Sequence, residues 1–261
     1  MAEARRAPLA GRIAARAMNI VYPSVCPVCG GASDSVSLAP LCRSCFSTIT
    51  RYEGPACPVC ALPVESAEAG LCGDCLRERP PFARVLAYGI YSGALRAAIN
   101  HLKFAPLKRL SRPLSRLLLD LPVPPADLIA AVPVGTRALR ERGFNQTLLL
   151  ARALSRGTGV PLGWGAVIKT RETRPQVGLS SRERASNLRG AFAARGRLDG
   201  LRVALVDDVV TTGATARECS KALLGAGARE VTVVALARAS RGWADRAASG
   251  RELTGTACDT P

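Results

Sequence analysis

Two adjacent carboxylates, Asp207 and Asp208, directly follow the apolar run RVALV and precede the segment VVTTGAT. In an open parallel sheet, ligands bind beyond the carboxyl ends of the strands, so a strand that ends here would hold both acids beside a ligand. Two carboxylates can accept hydrogen bonds from neighbouring ribose hydroxyls and can hold a magnesium ion. The pair therefore predicts a site for a sugar diol.

The turn after the acids offers groups that bind a phosphate. It contains the hydroxyls of Thr211, Thr212 and Thr215, together with Gly213, which allows a ligand to approach the backbone closely. The free N–H groups at the start of a following helix complete a cradle for an anion. A diol site beside a monophosphate site describes a pocket for ribose 5-phosphate.

A second set of chemically active residues lies near the N-terminus, where eight of the ten cysteines form four C-x2-C pairs. Such a pair turns sharply enough to point both sulfurs at one ion, and two pairs complete a tetrahedral thiolate site. Because every position of such a site is filled by protein, we expect structural zinc, two ions in all. The eight predicted ligands are Cys26, Cys29, Cys42, Cys45, Cys57, Cys60, Cys72 and Cys75.

The cysteine pattern is also compatible with disulfides and with a different sharing of the zinc ions. Disulfides are less consistent with the sequence, because it has no export signal and paired thiols in a reducing compartment are more often metal ligands. The pairs can share ions sequentially or in a cross-braced order, first with third and second with fourth. The repeat of CPVC followed by a second C-x2-C favours sequential sharing.

The composition narrows the class of protein. The net charge of +16 suits a polyanionic partner, which can be a nucleic acid, a phosphorylated metabolite or a membrane surface. No apolar run approaches the roughly 18 residues of an ordinary transmembrane helix. The basic N-terminus lacks a continuous hydrophobic segment, since Arg12 and Arg16 interrupt it. These features predict a soluble, cytoplasmic protein.

The elements that must position these residues follow from the hydrophobic pattern. After the Pro pair in RERPPF, apolar runs such as RVLAYGIY, DLIAAVPV, AVIKT, RVALVDD and EVTVVALAR alternate with helical stretches. This alternation predicts an α/β fold, a Rossmann-like parallel sheet with helices on both faces. A long polar connection, residues 171–200, interrupts it. The predicted segments are an amphipathic helix (1–20), the cysteine-rich module (21–78), the α/β domain (82–239) and a disordered tail (240–261).

These motifs resemble those of a known family. The segment VALVDDVVTTGAT is similar to the phosphoribosyl pyrophosphate motif of the type I phosphoribosyltransferases. The stretches INHLKF, VPV followed by RERGFNQ, and TRPQVGLSSRERASNLRGAF resemble successive signatures of the ComF family. The resemblance covers residues 20–238. It implies a double zinc ribbon joined to a type I phosphoribosyltransferase domain, and an association with DNA uptake in natural competence.

The resemblance also implies roles for individual residues. Asp207 and Asp208 correspond to the ribose-binding pair and are the candidate catalytic residues. The segment after AVPV corresponds to a pyrophosphate loop, although it is about two residues shorter than in the family and lacks a His. Residues 171–200 correspond to a flexible hood over the substrate. The implied ligand-binding residues are Val209, Val210, Thr211, Thr212, Gly213, Ala214 and Thr215 in the 5-phosphate loop, with Lys103, Arg137 and Arg142 as further phosphate contacts.

Two functions remain open from the sequence. The first is an enzyme that binds phosphoribosyl pyrophosphate with magnesium and transfers phosphoribosyl to an unidentified acceptor. The second is a non-enzymatic DNA-associated factor, binding single-stranded DNA and DNA-processing proteins, in which the pocket is a ligand sensor or a relic. A pure scaffold is disfavoured, because two adjacent carboxylates repel each other unless a ligand or metal relieves them.

Overall fold

The computed structural model describes residues 25–105, 107–173 and 181–239. Its central sheet has four parallel strands in the order β1-β6-β5-β2, which confirms the predicted α/β architecture. Two further strands, β3 and β4, form a separate antiparallel pair. The strands are β1 (Arg84–Ile90), β2 (Leu128–Ala131), β3 (Val167–Lys169), β4 (Phe192–Ala194), β5 (Arg202–Val210) and β6 (Glu230–Arg238).

Helices connect the strands and cover both faces of the sheet. Two short 3-10 segments, Ala67–Ala69 and Lys108–Leu110, accompany them. The α-helices are α1 (Arg43–Ser47), α2 (Gly73–Arg77), α3 (Gly93–Phe104), α4 (Ser111–Leu119), α5 (Thr136–Arg142), α6 (Gln146–Thr158), α7 (Ser181–Leu188) and α8 (Ala214–Gly225).

The hydrophobic core has two parts, one on each face of the sheet. Alternate residues of β5 divide between them: Val203 and Leu205 point to one face, and Ala204 and Val206 to the other. The first face packs against α8 and the cysteines of the second ribbon, and the other against α3, α4, α6 and cysteines of the first ribbon. The two ribbons therefore lie on opposite faces of the sheet.

The structure corrects three details of the predicted elements. The AVIKT strand, β3, does not join the parallel sheet but pairs with β4. The long polar connection contains α7 and β4, which its polar sequence did not indicate. Helix α5 was also not predicted, because all of its residues are at least partly exposed and it lacks an apolar face.

Some predictions concern residues outside the described ones. The amphipathic helix of residues 1–20 and the disordered tail of residues 240–261 both lie there. Among the described residues, no helix combines the length and apolar character needed to cross a membrane.

Candidate functional site

The cysteines form two compact clusters. In each, the four sulfur atoms lie within 4.8 Å of one another. The members follow the sequential pairing, with Cys26, Cys29, Cys42 and Cys45 in the first cluster and Cys57, Cys60, Cys72 and Cys75 in the second. Two structural zinc sites, sequentially paired, are thus confirmed.

The sulfur separations fit zinc. Zinc–sulfur bonds of about 2.3 Å in a tetrahedron place the sulfurs roughly 3.8 Å apart. The Sγ atoms of Cys29 and Cys42 are 3.8 Å apart, and those of Cys60 and Cys72 are 3.5 Å apart. Burial raises the pKa of the Cys57 thiol, but hydrogen bonds from backbone N–H groups outweigh it and lower this pKa to about 7. The backbone around Cys57 therefore favours its thiolate, whereas burial raises the pKa of Cys60 and Cys75 in the same cluster.

The acid pair lies near the carboxyl end of β5, as predicted from the apolar run that precedes it. Asp207 and Asp208 are both buried. Lys103, in the last turn of α3, reaches across and places Nζ 2.8 Å from Oδ1 of Asp208. Helix α3 is fixed by an apolar face that includes Ile99 and Leu102, so the lysine is held against the acids by packing. Lys103 thus contacts an acid of the pair, whereas the sequence had suggested a phosphate contact.

Helix α6 supplies a second partner to the acids. Nε2 of Gln146 donates to Oδ2 of Asp208 at 2.8 Å. The start of α6 is fixed by Asn145, whose side chain caps the helix and donates to the carbonyl of Val132 at 3.2 Å. Because Val132 follows β2, the neighbour of β5, this cap holds Gln146 beside the acids. Sequence reasoning missed Gln146; its position just after a helix-capping Asn was the available signal.

The two carboxylates differ in their electrostatic surroundings. Oδ1 of Asp207 accepts a hydrogen bond from the backbone N–H of Asp208 at 2.8 Å. Burial, followed by the neighbouring Asp208 carboxylate, raises the pKa of Asp207 to about 7, against the opposing effect of Lys103. Burial lowers the pKa of Lys103, but the Asp208 carboxylate outweighs it and raises that pKa. The ligand-free site therefore combines the Lys103–Asp208 ion pair with an Asp207 carboxyl whose pKa lies well above its ordinary value.

The loop of residues 209–215 comprises the last two residues of β5, a turn of residues 211–213 and the first two residues of α8. Gly213 precedes the helix with φ 76°, a left-handed conformation that favours glycine. The hydroxyl of Thr212 accepts a hydrogen bond from the N–H of Ala214 at 3.4 Å, and the other N–H groups of the first turn have no carbonyl of a preceding turn to bind. Val210 and Ala214 are buried, whereas Thr211 is exposed. This loop can therefore offer hydroxyls and N–H groups to an anion.

An arginine of helix α7 reaches this loop. Nη1 of Arg184, in α7, lies 3.5 Å from Oγ1 of Thr211. Its Nε is buried and, among the described residues, has no hydrogen-bond partner. A buried donor without a partner is unfavourable, so this guanidinium is suited to an anion bound beside Thr211.

The two arginines of the predicted pyrophosphate segment lie in different environments. Arg137 pairs with Glu141 at 2.8 Å on the exposed surface of α5. Arg142 instead faces the site: its Nη1 lies 3.2 Å from Oε1 of Gln146, and its guanidinium lies over the ring of Phe104. The N–H of Thr136 is bound by a carboxylate of Glu172 at 2.7 Å. Arg142 is thus connected to the acid pair through Gln146, and Arg137 is not.

Sequence reasoning also missed Arg238, the last residue of β6. Its side chain is buried and donates to the carbonyl of Cys60 at 2.8 Å and of Val210 at 3.0 Å. It therefore contacts both the second zinc ribbon and the start of the loop. A charged residue directly after the apolar run VVALA was the available signal.

Comparisons with known proteins match both parts of the chain. Residues 17–76 match the double zinc ribbon domain, and residues 145–254 match the phosphoribosyl transferase domain. The DNA utilization protein YhgH of Escherichia coli is 38% identical over 208 residues, which cover 76% of this chain and 90% of that protein. Competence protein F of Haemophilus influenzae is 33% identical over 227 residues, 81% of this chain and 90% of that protein.

Among solved structures, the glutamine phosphoribosylpyrophosphate amidotransferase of B. subtilis is similar over 47% of this chain and 25% of that chain, with 29% identity and a TM-score of 0.34. The family itself is established by the sequence relatives and by the two domain matches. The chain, with its paired zinc ribbons and its phosphoribosyltransferase fold, belongs to the ComF family.

Proposed function

We propose that the chain binds phosphoribosyl pyrophosphate together with magnesium at the acid pair and the loop of residues 209–215. The observation that carries the proposal is the buried pair Asp207 and Asp208 directly before a loop that turns at Gly213 into α8. The acids suit the ribose hydroxyls, and the loop suits the 5-phosphate. The partnerless Nε of Arg184 supports an anion beside Thr211.

Binding requires the ligand to compete for groups that the protein already pairs. Ribose hydroxyls or a magnesium ion must share Asp208 with Lys103 and Gln146. The released ammonium of Lys103 and the guanidinium of Arg142 are then available to the pyrophosphate. Arg137 contributes only if its side chain leaves Glu141.

The proposed reaction is transfer of phosphoribosyl to an acceptor nucleophile. The bond between C1 of the ribose and a pyrophosphate oxygen breaks, and pyrophosphate leaves with the electron pair. A new bond forms from C1 to the acceptor, which loses a proton. Bound magnesium supplies positive charge that stabilises the leaving group. Fixed cations and backbone donors stabilise the same charge, so no protein nucleophile is required.

The family relatives favour a cellular role with DNA. Relatives named for DNA utilization and for competence cover most of this chain. Together with the net charge of +16, they support a role in DNA uptake in the cytoplasm, where thiols stay reduced enough to bind zinc. We infer contact with single-stranded DNA and with DNA-processing proteins as the second function, compatible with the first. In one form of this second function, the pocket senses a ligand and catalyses no reaction.

The DNA role is tested by binding to single-stranded DNA at increasing salt. Arg43 and Arg51, both exposed in the first ribbon region, are replaced by Gln. We expect weaker binding and a shallower salt dependence in the variant, because each phosphate contact releases counterions. Binding that is equal in both proteins, or absent from both, would contradict this role.

The ligand proposal is tested by calorimetric titration of the zinc-loaded protein with phosphoribosyl pyrophosphate and magnesium. The comparison variant carries Asp207→Asn and Asp208→Asn, which keep the shape of the side chains. Since a hydrogen bond to a charged group contributes about 1.5–3 kcal/mol, we expect at least ~100-fold weaker binding. Equal binding by the variant, or none by the wild type, would refute the proposal.

A further inference from the structure

Arg238 places a charged side chain inside the core, between the second zinc ribbon and the loop of residues 209–215. Only 6% of the residue is exposed. It ends β6 and is paired in register with Val210 of β5, at the point where the loop begins. A buried guanidinium is unfavourable unless its donors and its charge are both satisfied.

The donors of Arg238 are satisfied by backbone carbonyls from both sides. Nε donates to the carbonyl of Cys60 at 2.8 Å. Nη1 donates to the carbonyls of Val210, at 3.0 Å, and of Thr211. It also lies 2.6 Å from the carbonyl of Ala239. One side chain thus bridges a zinc-binding turn and the first two peptide groups of the loop.

The charge of Arg238 has a different partner. Among the described residues, no Asp or Glu forms an ion pair with it. Its Nη2 lies 4.0 Å from Sγ of Cys60, a member of the second thiol cluster. Four thiolates around one zinc ion carry a net charge of about −2, so the loaded cluster supplies the missing negative charge.

The bond pattern also sets the direction of the loop's peptide groups. In a trans peptide, the carbonyl and the following N–H point in opposite directions. Because the carbonyls of Val210 and Thr211 point at Arg238, the N–H groups of Thr211 and Thr212 point away from it. The N–H of Ala239 also donates to the carbonyl of Val210 at 2.9 Å, so the strand pairing and Arg238 together orient the N–H of Thr211. Arg238 orients the N–H of Thr212 through its bond to the carbonyl of Thr211.

We propose that Arg238 is a positioning residue that couples the second zinc site to the phosphate loop. Zinc in the second ribbon stabilises the guanidinium, and the guanidinium holds the loop with its N–H groups turned toward the ligand. Such coupling is reciprocal in binding free energy, so a bound ribose phosphate must also raise the affinity for that zinc ion. The ligand half of this inference rests on the proposed function, and the zinc half does not.

The test uses Arg238→Met, which removes the charge and donors, and Arg238→Lys, which keeps the charge but cannot bridge both sides. Two quantities are measured: affinity for ribose 5-phosphate by calorimetry, and release of zinc to a chelating dye. Arg202→Met is the matched control, because Arg202 also ends in a guanidinium but pairs with Asp127 at the opposite end of β5, at 2.8 Å.

We expect Arg238→Met to release one of the two zinc ions about 10–100 times faster, in the range seen when outer-shell partners of metal ligands are removed. The affinity for ribose 5-phosphate is expected to fall by at least ~10-fold, since several hydrogen bonds that fix the loop are lost. Arg238→Lys should restore part of both properties, and Arg202→Met should alter neither.

The outcomes separate this inference from the proposed function. If the wild type does not bind ribose 5-phosphate, the proposed function fails, and zinc release alone then decides the role of Arg238. If Arg238→Met does not fold, Arg238→Lys and the effect of saturating ribose 5-phosphate on zinc release from the wild type provide the test. Zinc release and affinity unchanged from the wild type in the Arg238 variants would overturn the coupling.

Discussion

The thiol clusters and the acid pair both concentrate groups that become negatively charged, but they balance that charge differently. In each cluster, four sulfurs lie within 4.8 Å of one another, and their charge calls for a metal cation. Around Asp208, Lys103 and Gln146 already provide a cation and a hydrogen-bond donor. The clusters therefore depend on their ion for stability, whereas the acid pair is stable before its ligand arrives.

Removal of zinc should give the largest effect that distinguishes the two regions. Structural zinc contributes about 10–16 kcal/mol of apparent binding free energy in small zinc domains, so we expect chelation to unfold both ribbons. The measurement is thermal unfolding before and after chelation, with metal analysis giving two zinc ions per chain. Readdition of zinc is the control, and an unchanged melting temperature after complete removal of zinc would contradict the prediction.

Loss of Lys103 should give the next largest effect. Removal of one partner from a buried ion pair leaves an uncompensated charge, so Lys103→Met should destabilise the ligand-free protein by about 3–5 kcal/mol. The free energy of unfolding is measured by denaturant titration. Lys103→Arg keeps the charge, so its free energy of unfolding should fall less than that of Lys103→Met.

A surface ion pair provides the matched control for this comparison. Lys221 pairs with Glu218 at 2.8 Å, but its side chain is 55% exposed. Because exposed pairs contribute about 0–1 kcal/mol, Lys221→Met should have little effect. If Lys103→Met were no more destabilising than Lys221→Met, the acids would not depend on internal charge compensation.

The protonation of Asp207 should make the stability of the protein depend on pH. Its pKa is raised from an ordinary 3.8 to about 7, so the folded protein holds a proton that the unfolded chain releases. This contribution to stability is present below pH 4 and is lost as the pH rises to about 7. The wild type should therefore lose up to about 1.4 kcal/mol per pH unit relative to Asp207→Asn across this window. Parallel pH profiles of the two proteins in denaturant unfolding would rule out the shifted pKa.

Much of the fold could be predicted because local sequence determines it. The apolar runs that became β5 and β6 are nearly uninterrupted, as expected for strands buried on both faces of a parallel sheet. Strand β1 lies at the edge of the sheet and is only partly buried. The zinc-binding turns could also be predicted from the cysteine pairs, since each turn spans only four residues. Helices α5 and α7 were missed because polar and charged residues dominate them, so they carry no apolar periodicity.

The candidate site was predictable only in part, for a related reason. The acids and the loop of residues 209–215 are contiguous in sequence, so their order alone suggested their chemistry. The contacts of Lys103 and Gln146 with Asp208, and of Arg238 with Cys60, Val210 and Thr211, join residues between 27 and 178 positions apart. Such contacts depend on how helices and strands pack, which no local pattern encodes. The pairing of Lys103 with Asp208 also means that the adjacent acids do not require a ligand to relieve their repulsion.

The most direct test of the proposed ligand site is a crystal structure of the zinc-loaded protein with ribose 5-phosphate and magnesium. The account predicts the ribose hydroxyls within hydrogen-bond distance of Asp207 and Asp208, and the phosphate on the hydroxyls and N–H groups of residues 211–215. A sugar phosphate bound elsewhere, with Lys103 and Gln146 still on Asp208 and the loop empty, would contradict it.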